Sequence, residues 1–160
     1  MSKELRDILY KVSLTGSYGN MNSDVKGICF DSRKVRPGFL FVAVKGTLSN
    51  GHDFIANAIE QGATIIVAEK LPDAINEDLT YVTVKNSAHA LGIIASNYFD
   101  NPSEKLKLVG VTGTNGKTTT VTLLYQLFSG LAYRTGMIST VENRVVNNVI
   151  PATHTTPDPI

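Results

Sequence analysis

The sequence is poor in the residues that build disulfides and zinc sites. It has one cysteine, Cys29, and three histidines, His52, His89 and His154, in 160 residues. A single thiol forms no intramolecular disulfide, and the apolar neighbours of Cys29 are typical of a small buried side chain. The histidines and the cysteine do not have the spacing of zinc ligands. We therefore expect a protein of a reducing compartment, without a zinc site.

An excess of charge and long hydrophobic runs are also lacking. Lysine and arginine number 15 against 14 aspartate and glutamate, and the net charge is +1. A balanced charge gives no general affinity for nucleic acid or a membrane surface. No apolar run approaches the ~20 residues of a membrane span, and the first residues lack the core of a signal peptide. With 42% hydrophobic and 18% charged residues, we expect a globular cytoplasmic protein.

A glycine-rich stretch from Lys107 to Thr120 has the features of a phosphate-binding loop. Its short apolar run leads into two glycines, a lysine and several threonines. Gly113 and Gly116 would let backbone N–H groups approach phosphate oxygens closely. Lys117 would reach the β- and γ-phosphates, and Thr118 could ligate Mg²⁺ at the start of a helix. This pattern predicts a binding site for a nucleoside triphosphate.

The match to the usual phosphate-loop pattern is incomplete. That pattern has a glycine five residues before the glycine of Gly-Lys-Thr, and Val111 stands there. Thr114, Asn115 and Thr119 complete the set of predicted nucleotide contacts. The alternative is an ordinary corner between a strand and a helix with an exposed lysine. A strand before the loop and a helix after it would support phosphate binding.

Strands and helices alternate along the chain, which predicts an α/β fold with parallel sheets. A polar, proline-bearing segment at 100–105 predicts a domain boundary. We expect a Rossmann-like domain in residues 1–105 and the start of a P-loop parallel-sheet domain in residues 106–160. The predicted strands of the first domain are 25–30, 39–44, 64–68 and 80–84; its helices are 5–12, 53–62 (capped by Asp53) and 87–99; and 16–23 is a loop. In the second domain we expect a strand and the loop, a helix ending at Gly130, a strand at 135–138 and a hairpin at 141–150.

The tripeptide Asp31-Ser32-Arg33 follows a predicted strand. Its hydroxyl and backbone N–H groups could hold a phosphate, and its guanidinium could fork onto an anion. The alternative is a capped turn with an internal Asp–Arg pair, which the three residues alone favour. His52 lies at a loop-to-helix junction, where capping or packing is the commoner role, and His89 lies within a predicted helix and is expected to be structural.

Three stretches together resemble the Mur ligase family. The segment Gly113–Thr119 is similar to the ATP-binding loop of these amide-forming enzymes, which include the folylpolyglutamate synthetases. The Asp31–Arg33 turn, with 37–46 and 50–55, resembles the family's UDP-binding N-terminal domain. Together with the Asp31–Arg33 turn and the run Gly110–Thr120, the segment 155–159, Thr-Thr-Pro-Asp-Pro, resembles the ligases that add the third amino acid of the peptidoglycan peptide.

The resemblance implies a reaction and a set of binding residues. The substrates would be ATP with Mg²⁺, UDP-N-acetylmuramoyl-L-alanyl-D-glutamate and an amino acid, meso-diaminopimelate or L-lysine; we expect a monomer. ATP would phosphorylate the glutamyl carboxylate and the amine would attack the acyl phosphate, with Lys117 and Thr118 as catalytic residues. By position, Phe30 and Ser32 would contact uridine, Thr47, Leu48 and Ser49 would line the pyrophosphate, and His154, Thr155 and Thr156 would contact the muramoyl peptide. Some relatives have asparagine in place of His154.

Two other interpretations remain open at this point. The chain could be a non-catalytic module that binds a UDP-sugar or a nucleotide. It could also be similar to folylpolyglutamate synthetases, which share the loop but are not expected to carry the uridine-binding first hundred residues. In the Mur ligase family the central domain continues well beyond the equivalent of residue 160, so we expect these 160 residues alone to form no amide bond.

Overall fold

The computed structural model describes residues 2–46, 49–72, 74–152 and 159–160. The chain divides into two compact units, one of residues 1–106 with 159–160 and the other of residues 107–158.

The first unit alternates strands and helices. Its elements are β1 (Lys3–Glu4), α1 (Leu5–Ile8), β2 (Leu14–Tyr18), β3 (Asp24–Val25), β4 (Gly27–Cys29), β5 (Phe39–Val42), α2 (Ile55–Glu60), β6 (Ala63–Ala68), β7 (Thr80–Val84) and α3 (Ser87–Tyr98). Short 3₁₀ turns occupy Ser32–Lys34, Gly51–Phe54 and Pro102–Lys105.

A five-stranded sheet forms the centre of this unit, in the order β2-β7-β6-β5-β4. The strands β4, β5, β6 and β7 run parallel, and β2 pairs antiparallel with β7 at one edge. β1 and β3 form a separate small antiparallel pair. The predicted α/β fold with a parallel sheet is therefore confirmed.

The apolar strands β5 and β6 are buried on both faces, as their continuous hydrophobic sequences predict. Alternate side chains point to opposite faces. On one face Leu40, Val42, Ile65 and Val67 pack with α1 and α3. On the other face Phe41, Ile66 and Tyr81 pack with α2. This two-sided core holds the carboxyl ends of the parallel strands at a common edge.

Two details of the first unit differ from the prediction. The predicted loop 16–23 overlaps strand β2. All five residues of β2 are exposed, so the segment has no hydrophobic alternation and only its ladder with β7 makes it a strand. The predicted strand 25–30 is divided between β3 and β4. Helix α1 is only one turn long, but the predicted core residues Leu5, Ile8, Leu9 and Val12 are all buried.

The second unit contains helix α4 (Lys117–Gly130) and the strands β8 (Gly136–Ile138), β9 (Glu142–Val145) and β10 (Asn148–Pro151). The strands form an antiparallel sheet in the order β10-β9-β8. The predicted helix ending at Gly130, the strand near 135–138 and the hairpin are confirmed. The described strands of this unit therefore pair antiparallel, whereas we expected a parallel sheet to begin here.

The strand predicted before the glycine-rich loop is not formed, because residues 107–112 have no regular secondary structure. Leu108 and Val109 are 72% and 66% exposed. A strand needs a neighbour that completes its backbone hydrogen bonds. Among the described residues of this unit, β8 pairs only with β9, so the apolar run has no ladder to join. Within the described part of the chain, no helix is long and apolar enough to cross a membrane.

Candidate functional site

The carboxyl ends of the parallel strands carry most of the polar side chains discussed above. Asp31 and Ser32 follow β4, Lys45, Ser49 and Asn50 follow β5, Glu69 follows β6, and Lys85 follows β7. Since β4 to β7 are parallel neighbours, these segments lie along one edge of the sheet. In open α/β sheets this edge is where ligands bind.

The Asp31-Ser32-Arg33 turn is held by an internal ion pair. The Arg33 guanidinium forks onto Asp31, with Nε 2.9 Å from Oδ1 and Nη2 2.8 Å from Oδ2. Asp31 Oδ1 also accepts the Arg33 backbone N–H and so caps the 3₁₀ turn. This hydrogen-bonded pair holds the pKa of Asp31 below its usual range. The turn therefore has the geometry of a capped turn with an internal Asp–Arg pair, and the Arg33 guanidinium binds Asp31.

Ser32 remains the polar group that this turn could offer a ligand. It is 7% exposed and follows β4 by three residues. Phe30 is partly buried against the core. The thiol of Cys29 donates to the Asp31 carbonyl at 3.0 Å, and burial raises its pKa. The cysteine is therefore a protonated structural group, as its sequence context predicts.

The loop after β5 is closed by backbone contacts on both of its sides. Gly46 N–H donates to the Ser49 carbonyl at 3.0 Å, and Gly51 N–H donates to the Val44 carbonyl at 2.8 Å. A Cβ at Gly51 would lie 2.5 Å from the Val44 oxygen, so this close approach requires glycine. Ser49 is exposed, and the predicted contacts Thr47 and Leu48 lie outside the described residues.

His52 connects this loop to the neighbouring strand. Its Nδ1 lies 2.9 Å from Asn50 Oδ1, and its Nε2 accepts the Glu69 backbone N–H at 2.9 Å. An Nε2 acceptor requires neutral imidazole with the proton on Nδ1. The capping or packing role expected for His52 fits these bonds. The predicted helix cap at Asp53 was wrong, because the N-cap of α2 is Phe54, which makes no side-chain cap bond. The side-chain cap belongs to Asn50, which accepts the His52 N–H at the start of the preceding 3₁₀ turn.

Glu69 extends this hydrogen-bond chain to helix α3. Its Oε1 accepts the Ser87 backbone N–H at 3.0 Å and the Ser87 hydroxyl at 2.9 Å. These two bonds, the backbone N–H first, hold the pKa of Glu69 below its usual range. The carboxylate therefore occupies the N-terminal end of α3 and joins the ends of β6 and β7.

The glycine-rich loop of the second unit turns directly into α4. Gly116 is the N-cap with φ +76°, and Gly113 has φ +143°. A Cβ at Gly116 would meet nothing within 4 Å, so its backbone conformation and not crowding favours glycine. The first N–H groups of a helix have no helical acceptor. The predicted loop-to-helix geometry therefore presents backbone donors at one point.

Lys117 curls back over this loop. Its Nζ donates to the Gly113 carbonyl at 2.5 Å and to the Thr114 carbonyl at 3.3 Å. The side chain is exposed, and α4 begins at Lys117 itself. Thr118 follows in the first turn and is half-buried. The structure therefore brings Gly113, Gly116, Lys117 and Thr118 together in a single turn, which also contains the predicted contacts Thr114, Asn115 and Thr119.

His154, Thr155 and Thr156 lie outside the described residues. His89 is exposed on α3, where its backbone N–H is capped by Asn86. Among the residues that the structure describes, no three His, Cys, Asp or Glu side chains are grouped as metal ligands.

A cavity at the carboxyl edge of the first unit was not predicted from the sequence. It measures about 520 Å³, and its lining includes Lys45, Glu69, Lys70 and Lys85. The available signal was position, because all four of these residues come within three residues of the end of a buried parallel strand.

Comparisons with known proteins agree with this architecture. The profile described as "Mur ligase family, catalytic domain" matches residues 24–99, and "Mur ligase middle domain" matches residues 111–160. A UDP-N-acetylmuramoyl-L-alanyl-D-glutamate--2,6-diaminopimelate ligase of Cytophaga hutchinsonii is 59% identical over 158 residues. A ligase of the same name from Bacteroides fragilis is 47% identical over 157 residues. Each alignment covers 98% of this chain and 32% of the relative, so the chain spans about a third of these curated relatives.

Solved structures lead to the same family. One UDP-N-acetylmuramoyl-L-alanyl-D-glutamate--2,6-diaminopimelate ligase has a TM-score of 0.71 over 99% of this chain and 31% of that protein, and its 24% identity supports the fold alone. A MurF ligase from Thermotoga maritima in complex with ADP is 35% identical, with a TM-score of 0.50 over 66% of this chain and 24% of that chain. Since two family profiles match successive segments and the relatives align along nearly its whole length, the chain belongs to the Mur ligase family.

Proposed function

We propose that this chain is the N-terminal part of an ATP-dependent ligase that adds the third amino acid to UDP-N-acetylmuramoyl-L-alanyl-D-glutamate in peptidoglycan precursor synthesis. The observation that carries the proposal is the turn of Gly113, Gly116 and Lys117 at the start of α4. It occurs in a chain 59% identical to a ligase named for that substrate. The names of the relatives favour 2,6-diaminopimelate over lysine as the amino acid.

The second unit would bind ATP at the start of α4. Backbone N–H groups and the helix dipole favour phosphate at this position. Lys117 now donates to two loop carbonyls. Its amine would exchange these carbonyls for the β- and γ-phosphate oxygens and stabilise charge on the transferred phosphoryl group.

Thr118 is the residue that would hold Mg²⁺. It supplies one hydroxyl, and Mg²⁺ in nucleotide sites takes most of its six ligands from phosphate oxygens and water. The donor set of the loop therefore fits a metal carried by the nucleotide. Bound there, Mg²⁺ would neutralise charge on the phosphate oxygens.

The first unit would bind the UDP part of the second substrate. Ser32 and Ser49 follow the neighbouring parallel strands β4 and β5 at one edge. We propose that Ser32 and Phe30 contact uridine, that Thr47, Leu48 and Ser49 line the pyrophosphate, and that His154, Thr155 and Thr156 contact the muramoyl peptide. The γ-phosphoryl group would pass to the glutamyl carboxylate, and the incoming amine would displace phosphate from the acyl phosphate to form the amide.

Isothermal titration calorimetry with two variants tests the assignment of one ligand to each unit. Ser32→Ala should weaken UDP-N-acetylmuramoyl-L-alanyl-D-glutamate and leave MgATP unchanged. Lys117→Ala should remove most MgATP affinity and leave the UDP ligand and the fold unchanged, because the exposed lysine contributes charge and not packing. Absence of binding of both ligands to the folded parent protein would refute the proposal.

A further inference from the structure

The sequence contains two Asn-Gly pairs, Asn50-Gly51 and Asn115-Gly116. In such a pair the backbone nitrogen of the glycine can attack the side-chain amide carbon of the asparagine, because glycine has no Cβ to obstruct the approach. The two pairs contain the same reacting groups, so the fold decides which of them can react. The structure holds one pair in place and leaves the other unrestrained.

The pair Asn50-Gly51 is restrained at both of its reacting groups. Asn50 Oδ1 accepts the His52 backbone N–H at 3.2 Å and lies 2.9 Å from His52 Nδ1. The Gly51 N–H donates to the Val44 carbonyl at 2.8 Å, and a Cβ at Gly51 would lie 2.5 Å from the same oxygen. Both residues are half-buried. Attack by the Gly51 nitrogen would therefore first have to break these hydrogen bonds.

The pair Asn115-Gly116 lies exposed in the glycine-rich loop. Gly116 has φ +76°, and a Cβ built there would meet nothing within 4 Å. Among the residues that the structure describes, neither the Asn115 side chain nor the Gly116 N–H makes a hydrogen bond. The Lys117 amine binds the carbonyls of Gly113 and Thr114, so it engages neither reacting group. The Asn115 amide and the Gly116 nitrogen can therefore approach each other without breaking a bond.

From this contrast we propose that Asn115 is a site of spontaneous deamidation, which places a negative charge in the glycine-rich loop. The Gly116 nitrogen loses its proton and forms a bond to Asn115 Cγ. The bond from Cγ to the side-chain nitrogen breaks, and that nitrogen leaves as ammonia. Water then opens the cyclic imide at one of its two carbonyls, which gives aspartate or isoaspartate. The net change replaces NH₂ by OH, with water consumed and ammonia released, and it needs no oxidant or reductant.

Either product would change how the loop meets a phosphate. The new carboxylate adjoins Gly116, the N-cap of α4, and repels another anion at that position. Isoaspartate also adds a CH₂ group to the main chain between Gly113 and Lys117, which displaces the lysine amine from the loop. The fold should survive, because Asn115 is exposed and a negative charge is favourable at a helix N-terminus. The effect on ATP rests on the function proposed above, whereas the deamidation itself does not.

Mass spectrometry of tryptic peptides tests the modification after the folded chain has been aged at mildly alkaline pH without nucleotide. The peptide 108–117 contains Asn115 as its single asparagine, and fragmentation of the peptide 46–70 reports Asn50. In the folded protein Asn115 should convert about tenfold faster than Asn50 or more, since the hydrogen bonds of Asn50-Gly51 are worth about this factor. In guanidinium chloride the two rates should become similar. Equal rates in the folded protein, or the same ratio after unfolding, would overturn the proposal.

Calorimetry with MgATP tests the consequence of the added charge. Asn115→Asp reproduces the aspartate product, and Asn57→Asp is the matched control, because it makes the same charge change at an exposed position of α2. Asn115→Asp should weaken MgATP by about tenfold or more, and Asn57→Asp should change it less than about twofold. Equal weakening in both variants would contradict a local effect of the charge.

Bound MgATP should also slow the conversion of Asn115 and leave that of Asn50 unchanged, since phosphate would engage the N–H groups of the loop. Failure of the proposed ATP-binding function would appear differently from failure of this inference. The parent protein would then bind no MgATP and the nucleotide would give no protection, while Asn115 would still convert faster than Asn50.

Discussion

Replacement of Glu69 by alanine should destabilise the first unit more than any other single change of an exposed or half-buried carboxylate in it. The Glu69 carboxylate accepts two hydrogen bonds from Ser87, which is completely buried. Alanine would leave the Ser87 N–H and hydroxyl without this acceptor. Since the bonds join the end of β6 to the start of α3, their loss should loosen two neighbouring elements.

The magnitude follows from the cost of unpaired donors. A hydrogen bond to a charged acceptor contributes about 1.5–3 kcal/mol, and a buried donor without a partner costs about 1–3 kcal/mol. The half-exposed position lets water replace part of this loss, so we expect about 2–3 kcal/mol for Glu69→Ala. Glu69→Gln keeps an amide oxygen as acceptor and should cost about 1 kcal/mol.

Urea unfolding, followed through the amide signals of β6 and β7, measures these values. A loss of about 2 kcal/mol corresponds to a fall of about 1 M in the unfolding midpoint. Glu77→Ala is the matched control, because Glu77 is exposed and its substitution removes the same charge. A change below about 0.5 kcal/mol for Glu69→Ala, equal to the control, would refute the argument.

The pH dependence provides a second check on the same residue. The folded pKa of Glu69 lies below its usual range because Ser87 donates to the carboxylate. Such a group stabilises the fold above the unfolded pKa of about 4.3, and the stabilisation is lost as the pH falls through the folded value. The difference between the parent and Glu69→Gln should therefore be present at pH 7 and disappear in acid. A constant difference across this range would contradict the role of the charge.

Three further variants test the loops. Thr118→Ala should bind ATP with a weaker dependence on Mg²⁺, measured by calorimetry with and without the metal; an unchanged dependence would exclude Thr118 as a ligand. Gly116→Ala should weaken MgATP, because φ is +76° there and the side chain strains the turn by about 1–2 kcal/mol; equal affinity would contradict this. Gly51→Ala should lower the free energy of unfolding in urea by about 1–3 kcal/mol, since its Cβ would lie 2.5 Å from the Val44 oxygen. An unchanged urea midpoint would refute the clash.

The buried parts of the fold could be predicted from sequence because their hydrophobic patterns are strong. Strand β7 was predicted at Thr80–Val84 and strand β5 at 39–44, and both are strands with buried side chains. Strand β2 could not be predicted, because its residues are all exposed and its structure comes from pairing with β7. Similarly, an apolar run such as 107–112 predicts a strand only if a partner strand is present.

The part of the candidate site that lies in one continuous stretch of sequence could be predicted. The pattern from Gly113 to Thr118 predicts a turn at the start of a helix, and that turn is present. The tripeptide alone favoured an internal pair between Arg33 and Asp31, and this pair is present. The basic cavity was not predictable, because Lys45, Lys70 and Lys85 are separated in the sequence and are brought together only by the parallel order of β5, β6 and β7.

The most direct test of the account is a pair of chemical-shift titrations of the ¹⁵N-labelled chain, one with MgATP and one with UDP-N-acetylmuramoyl-L-alanyl-D-glutamate. The account predicts that MgATP shifts the amides of Gly113 to Thr118 and leaves Ser32 and Ser49 unchanged. It predicts that the UDP ligand shifts Ser32 and Ser49. If neither ligand shifts its own set in the folded protein, or if both ligands shift only one set, the assignment of one substrate to each unit is contradicted.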